Sequence, residues 1–230
     1  MTIGALYPAF FLLWQTPALN APDLEKARDA QDRGALERIA SQFSAATAKQ
    51  PNDATAYYRL ALTQSYLAEI AMETGDKNQA RAAAETGIKA AERAVSLKSE
   101  VSEHHRVLGT LCGQVIPANV LTGLKYGRCA QDEVNKAVQL DPKAAINYVS
   151  RGAGNYYLPA AMGGGVNVAI KDFEKALELD PKSAEAHLWL GIALRKANRN
   201  AEARKELEKA VSLDPARAWA KQQLDKTPGA

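Results

Sequence analysis

Apolar and small residues recur along most of the chain at intervals of three and four residues, with polar residues between them. This spacing places the apolar side chains on one face of an α-helix. Short segments rich in Asp, Pro, Gly and Asn separate the periodic stretches. Alanine is abundant and aromatic residues make up only 7% of the sequence, which favours closely packed helices over sheet. The pattern therefore predicts an all-α protein.

A short segment of the form aliphatic-x-Leu-Asp-Pro occurs three times, and it ends at Pro142, Pro181 and Pro215. Weaker versions end at Ser99 and Pro51. The steps between these five positions, counted back from the last, are 34, 39, 43 and 48 residues. Proline cannot continue a helix, so each segment marks the end of one. The spacing predicts a repeated helical hairpin of about 34 residues, with insertions in the earlier copies.

Residues 182–215 resemble the repeat of the tetratricopeptide family, which has the pattern W-x2-L-G-x2-Y…A-x3-F…P. The matching positions are His187, Leu190, Gly191, Leu194, Ala203, Leu207, Ala210 and Pro215. Glycine costs about 1 kcal/mol relative to alanine inside a helix. Gly191 therefore predicts that the second helix of the pair crosses close to it, with Ala203 and Ala210 facing the contact.

The resemblance implies a right-handed α-solenoid of antiparallel helix pairs, a tetratricopeptide-like superhelix, as a single domain over residues 22–226. We expect insertions between the helices of the earlier pairs to lengthen helices or loops along one edge. The predicted units are helical hairpins at 23–50, 52–99, 100–142, 143–181 and 182–215, followed by a capping helix at 216–226.

The first 21 residues carry no charge and contain an apolar run over residues 3–14, followed by the small residues Ala18 and Ala21. This segment resembles a cleaved secretory signal, so we expect a periplasmic or secreted protein. Two features do not fit: no Lys or Arg precedes the run, and Pro8 interrupts it. The alternative is an apolar arm that packs on the body of a cytoplasmic protein. No run reaches the roughly 18 residues of a membrane span, so we expect none in the mature chain.

Three consecutive glycines, Gly163 to Gly165, follow Pro159 in the third predicted unit. The segment lacks the Gly-Lys-Ser/Thr ending of a phosphate-binding loop, so we interpret it as a spacer or as the lip of a groove. We expect a Gly164→Val substitution to be tolerated. The Pro-x-x-x-Gly-Gly insertion and the irregular early repeats are similar to exported bacterial tetratricopeptide proteins, including periplasmic partners of substrate-capture transport systems.

The candidate chemistry of the chain is sparse. The formal net charge of +3 is spread over interspersed Lys, Arg, Asp and Glu, so we expect no nucleic-acid partner. His104 and His105 are adjacent and point in different directions on a helix, and we expect no metal, no cofactor and no enzymatic activity. We expect Cys112 and Cys129 to be two buried thiols. The alternative, in an exported protein, is a disulfide.

The remaining candidate site is the concave face of the superhelix, which the first helix of each pair lines. The resemblance implies a protein or peptide partner of unknown identity, since tyrosine and arginine are enriched at interfaces. The Lys and Asn clamp with which some family members hold a terminal carboxylate is replaced here. The alternative occupant is a small apolar ligand. Helical phase predicts a groove formed by Tyr58, Leu62, Tyr66, Arg106, Thr110, Gln114, Val149, Tyr156, Tyr157, Leu188, Ile192 and Arg195.

Overall fold

The computed structural model describes residues 21–116 and 120–229, in which every regular element is helical. The predicted all-α class is confirmed. One 3₁₀ turn, Ala160–Met162, lies between α7 and α8. The α-helices of the described residues are α1 Ala21–Asp29, α2 Arg33–Lys49, α3 Ala54–Thr74, α4 Lys77–Leu97, α5 Ser102–Val115, α6 Val120–Leu140, α7 Ala145–Tyr157, α8 Val166–Leu179, α9 Ala184–Lys196, α10 Asn200–Leu213 and α11 Ala218–Asp225.

Short polar turns delimit these helices. Gly75 ends α3 with a left-handed φ of 86°, a conformation that glycine adopts without strain. The carboxylate of Asp76 then accepts a hydrogen bond from the Gln79 amide at the start of α4, which caps that helix. After α10, Asp214 accepts a hydrogen bond from the Ala216 amide. The turns therefore satisfy backbone groups that the helix ends leave free.

The two helices of a pair cross closely at a glycine of the first helix. A Cβ added to Gly191 of α9 would lie 2.6 Å from Cγ of Leu207 and 3.0 Å from the carbonyl oxygen of Ala203, both on α10. The expected close crossing at Gly191 is therefore present. The preceding pair repeats it, because a Cβ on Gly152 would lie 2.5 Å from the ring of Phe173.

Histidines link the helices of two pairs. Nδ1 of His187 on α9 lies 2.6 Å from a carboxylate oxygen of Glu206 on α10, and its Nε2 lies 3.2 Å from the carbonyl oxygen of Pro181. His105 on α5 is placed in the same way, with Nδ1 2.6 Å from Glu133 on α6. These side chains occupy the slot that holds tryptophan in the repeat pattern, and they join the two helices and the preceding turn through polar contacts.

Cys112 and Cys129 form a disulfide between α5 and α6, with Cα atoms 6.0 Å apart. The expectation of two buried thiols was wrong, and the alternative of a disulfide is what the structure has. The two residues are 17 positions apart in the sequence, and the antiparallel course of α5 and α6 brings them back together. The bond closes the base of the insertion in the second full pair.

The buried apolar residues form separate clusters. One extends from Leu24 of α1 to Val115 of α5. A second extends from Tyr148 of α7 to Ala203 of α10, and a small third cluster joins α9 and α10 to Ala220 of α11. The predicted signal segment lies outside the described residues, except that Ala21 begins α1.

Candidate functional site

A cavity of about 1620 Å³ lies on the concave side of the superhelix. The first helices of the pairs, α3, α5, α7 and α9, line it together with α1, α11 and part of α6. Of the twelve residues that helical phase assigns to the groove, eight line this cavity: Tyr58, Leu62, Tyr66, Arg106, Thr110, Gln114, Val149 and Tyr157.

The other four predicted groove residues lie elsewhere. Leu188 and Ile192 are buried against α10 and α11. Arg195 donates hydrogen bonds to the Gln223 carbonyl at 2.9 Å and to the Thr227 hydroxyl at 3.0 Å. These side chains point in the predicted direction, but the capping helix α11 covers them because it packs on α9 as a further repeat would.

Tyr156 also departs from the prediction, because its ring packs among other side chains at the edge of the cavity. It lies edge-on to Tyr157 at 4.9 Å and to Trp189 at 6.1 Å, measured between ring centroids. The ammonium of Lys196 sits 4.0 Å from the Tyr156 ring centroid, a favourable cation–π position. Its neighbour Tyr157 is 55% exposed and presents its ring to the cavity.

One wall of the cavity is aromatic. Trp189 of α9 and Trp219 of α11 both line it, with ring centroids 5.3 Å apart. Trp189 also lies edge-on to Tyr157 at 6.4 Å. The repeat pattern did not indicate either tryptophan, because both occupy slots that the family leaves variable. Aromatic rings of this kind supply large contact areas at low entropy cost.

The floor carries a buried polar network. Arg106 donates two hydrogen bonds to Glu103, through Nε at 2.7 Å and Nη2 at 2.5 Å, and a third to the Ser150 hydroxyl at 3.2 Å. The Tyr58 hydroxyl donates to Glu103 at 3.1 Å. Burial disfavours the charged carboxylate, but the attraction of Arg106 outweighs it and lowers the pKa of Glu103. Arg106 is thus already neutralised by its own helix.

The two ends of the superhelix meet beside the cavity. Arg217, which is 2% exposed, precedes α11 and donates hydrogen bonds to Glu69 and Glu73 on α3, each at 2.5 Å. Its Nε lies 3.8 Å from Asp29 of α1 and 3.6 Å from Glu185 of α9. We call this contact between α1 and α3 on one side and α11 and α9 on the other the seam. It closes the helical repeat into a ring.

Further contacts cross the seam. The amide of Gln222 donates to the side-chain oxygen of Gln31 at 3.1 Å, and Arg28 lies 3.9 Å from Glu185. Burial raises the pKa of Glu69 to about 8, and the negative charges of Glu73 and Glu185 add to this, although Arg217 and Arg28 oppose it.

One feature of the sequence indicates the seam, namely two glutamates that continue the predicted groove face of α3. Tyr58, Leu62 and Tyr66 form a stripe along α3, and Glu69 and Glu73 continue it. Two carboxylates on the predicted groove face require a buried partner. Nothing local in the sequence identifies that partner as Arg217.

Three large apolar side chains that line the cavity are exposed, and we call them the mouth of the cavity. Leu124 of α6 is 82% exposed and Met162, in the turn before α8, is 66% exposed. Ile146 of α7 is 39% exposed, and all three line the cavity. The glycine-rich insertion contributes Pro159 and Met162 to this lining, so it forms a lip of the cavity.

The prediction that Gly164 tolerates a larger side chain is contradicted by its packing. Gly164 is buried, and a Cβ there would lie 2.5 Å from both Cβ and the carbonyl oxygen of Leu158. Its amide donates to the Pro159 carbonyl at 3.2 Å, and the neighbouring Gly165 amide donates to Asn155 at 2.8 Å. The insertion is therefore a folded turn that is tied to the end of α7.

The described residues contain no group of three or more His, Cys, Asp or Glu side chains able to hold a metal ion. None of the helices within 21–116 and 120–229 is both long and apolar enough to cross a membrane. The site is an apolar and aromatic cavity in which Arg106 and Glu103 neutralise each other, and such a cavity suits binding.

Comparisons with known proteins agree with the fold and the repeat. A tetratricopeptide repeat model matches residues 163–218, so the chain is a tetratricopeptide repeat protein, and the fold of this class is that of a helical scaffold for protein interactions. A second model, described as regulator of microtubule dynamics protein 1-3, matches residues 23–158, more than half of the chain. The chain therefore belongs to this family.

Solved structures share the fold at low sequence identity. TTC0263, a tetratricopeptide protein of Thermus thermophilus, is 20% identical with a TM-score of 0.62, and the match covers 88% of this chain and 97% of that one. The HusA haemophore of Porphyromonas gingivalis is 19% identical with a TM-score of 0.60, over 79% and 96% of the two chains. No curated protein sequence matches significantly.

Proposed function

We propose that this protein is a non-catalytic helical-repeat scaffold that holds an apolar segment of a partner protein in its central cavity. The main support for this proposal is the cavity, whose volume is about 1620 Å³. Pockets for small molecules usually measure about 300–1,000 Å³. A cavity of this size, surrounded by the first helices of successive repeats, suits a peptide segment better than a single small ligand.

The exposed apolar mouth supports the same proposal. Leu124, Met162 and Ile146 line the cavity and are exposed, and exposed apolar surface around a cavity is typical of an interaction site. Val168 is also exposed but, unlike Leu124, Met162, Ile146 and Tyr157, it does not line the cavity. It provides a matched control for the mouth.

The family description names microtubules, which are protein polymers, and this supports a protein as the partner. Co-sedimentation with polymerised tubulin tests this source of the segment. Tubulin as the partner is an alternative to the exported location proposed below, because microtubules are cytosolic. If the wild-type protein pellets with the polymer and a variant of the cavity mouth stays in the supernatant, tubulin is identified as one partner.

The peptide proposal is tested without knowledge of the partner. Twelve-residue peptides are selected from a random display library against the protein, and the tightest is labelled with fluorescein for anisotropy. We expect the Leu124→Glu, Met162→Glu double variant to weaken binding at least about tenfold, equivalent to about 1.4 kcal/mol. The Val168→Glu control should bind as wild type. Equal affinity of all three proteins would contradict the proposal.

The second candidate is a small apolar ligand, and the aromatic wall of Tyr157, Trp189 and Trp219 favours it. Native mass spectrometry of protein purified from its own cell distinguishes the two. A bound mass in the range of a lipid or an aromatic metabolite, displaced by no peptide, would favour the small ligand.

We also propose that the protein is exported to the periplasm or secreted. Disulfides persist in oxidising compartments, and the Cys112–Cys129 bond supports that location. Determination of the mature N-terminus from fractionated cells tests it, and a cytosolic protein that retains residues 1–21 would contradict it.

A further inference from the structure

The apolar core of the ring divides between the second and third full helix pairs. The first cluster contains Leu24 through Val115 of α1 to α5, with Ala130 of α6 packed on its edge. The second and third contain buried residues of α7 to α11, from Tyr148 to Ala220. We call α1–α6 the first block and α7–α11 the second block. Each block has its own apolar core.

The junction between the blocks is less extensively packed and contains a buried polar contact, although Val138 of α6 also packs against the second cluster. The amide of Asn147 on α7, which is 1% exposed, donates to the Ser102 hydroxyl at 3.0 Å and to the carbonyls of Ala137 at 3.1 Å and Asp141 at 2.9 Å. The helix α7 contacts α5 and α6 less extensively than α5 contacts α3 and α4. The cavity reaches into this junction, since Val134 of α6 lines it together with α7.

The seam is the second place where the blocks meet, and it is charged. Arg217 and Gln222 of the second block contact Glu69, Glu73 and Gln31 of the first. None of the apolar clusters among the described residues includes side chains from both sides of the seam. Hydrogen bonds and ion pairs can break and reform without the exposure of a packed core, which is a property of interfaces that open.

We propose that the protein is a hinged ring, in which the two blocks rotate about the junction of α5 and α6 with α7 and the ring opens at the seam to admit its ligand. This junction is the hinge, because Asn147 holds it through directional bonds to backbone carbonyls. The Arg217 seam is the latch. This proposal rests on the proposed function, since it names how the same cavity is reached.

The block movement is measured by the distance between spin labels, without any ligand. Lys49→Cys on α2 and Lys209→Cys on α10 report across the blocks, and Lys49→Cys with Lys89→Cys on α4 report within the first block; all three lysines are exposed. The native cysteines are disulfide-bonded and take no label. In Arg217→Gln we expect the cross-block distance to lengthen by about 5 Å or more, a typical scale of element shifts.

The within-block distance and an Arg204→Gln variant are the controls that distinguish opening of the seam from general unfolding. Arg204 pairs with Glu208 at 3.0 Å on the exposed face of α10, so its loss should leave both distances as in wild type. A cross-block distance that does not change in Arg217→Gln would overturn the hinge. A within-block distance that broadens equally would also overturn it, because the blocks would then unfold together.

Access to the cavity is measured by uptake of Nile red, an uncharged apolar dye. Cysteines at Gln31 and Gln222, joined by a short bismaleimide, lock the seam. We expect locked protein to take up the dye at least about tenfold more slowly than wild type, and Arg217→Gln to take it up faster. Uptake at the wild-type rate by the locked ring would overturn the role of the seam in access. Failure of every form to bind dye or peptide would instead contradict the proposed function, while the label distances still decide the hinge.

Discussion

Arg217 donates a 2.5 Å hydrogen bond to Glu73, which lies 144 residues earlier in the chain. Both side chains are 2% exposed. This contact joins the end of α3 to the segment before α11, and it converts an open helical repeat into a ring around a central cavity. Removal of one partner leaves the other charge buried without compensation.

We therefore predict that Arg217→Gln lowers the free energy of unfolding by more than about 1 kcal/mol, the value of a surface pair. The upper bound is about 3–5 kcal/mol, the cost of a pair whose remaining charge stays buried, because opening of the seam hydrates Glu69 and Glu73. Chemical denaturation at neutral pH measures it. The control is Arg204→Gln, whose partner Glu208 is 54% exposed, and we expect it to cost no more than about 1 kcal/mol. Equal costs for the two variants would show that the seam adds nothing to stability.

The seam should also make stability depend on pH through Glu69. Burial raises the pKa of Glu69 to about 8 in the fold, with Glu73 and Glu185 as like charges and Arg217 and Arg28 as opposing ones. A carboxyl with a raised pKa stabilises the fold fully below its unfolded pKa and loses that contribution as pH rises through the folded value.

Unfolding free energies of wild type and Glu69→Gln, measured from pH 4.5 to pH 9, test this. We expect the advantage of wild type over the variant to shrink by at least about 1 kcal/mol across that window, since one pKa unit corresponds to about 1.4 kcal/mol. Parallel curves for the two proteins would contradict a titrating Glu69 at the seam.

The helix pairs could be predicted from the sequence because their signals are local. Pro181 and Pro215 mark where helices end, and Gly191 marks where two helices cross, each within a few residues. Helical phase likewise placed Tyr58, Leu62 and Tyr66 of one helix on the cavity. These inferences need only the periodicity of the helix and the length of the repeat.

The features that the sequence did not predict depend on how successive helix pairs are rotated relative to one another. Leu188 and Ile192 have the correct phase for the groove, but α11 covers them. The meeting of Arg217 with Glu73 depends on the rotation accumulated over the intervening helix pairs, which no local pattern encodes. The packing of Gly164 against Leu158 escaped prediction for a related reason, because three glycines in a row are typical of an open loop.

The glycine-rich lip should be sensitive to substitution. We predict that Gly164→Val lowers the free energy of unfolding by more than about 2 kcal/mol, because its Cβ would overlap Leu158 and overpacking typically costs about 1–3 kcal/mol. Gly154→Ala is the control, since no atom lies within 4 Å of a Cβ there and alanine favours the helix. Wild-type stability of Gly164→Val would show that the lip is loose.

The disulfide should stabilise the pair formed by α5 and α6. Its partners are 17 residues apart, and closure of a loop of this length is worth about 3 kcal/mol. We expect the Cys112→Ser, Cys129→Ser double variant to unfold at lower denaturant by that amount, and the wild type to show no free thiol in denaturant. Thiol titration that finds two reactive groups in protein from its native compartment would contradict the bond.

The most direct test of the central claim, that a partner segment lies inside the cavity, is site-specific photo-crosslinking of the selected peptide. A benzophenone side chain replaces Leu62, which lines the cavity, or Val168, which is exposed outside it. We predict that light joins the peptide to the protein labelled at position 62 and not to the protein labelled at position 168. Crosslinking at 168 without crosslinking at 62 would place the partner on the outer surface and contradict the account.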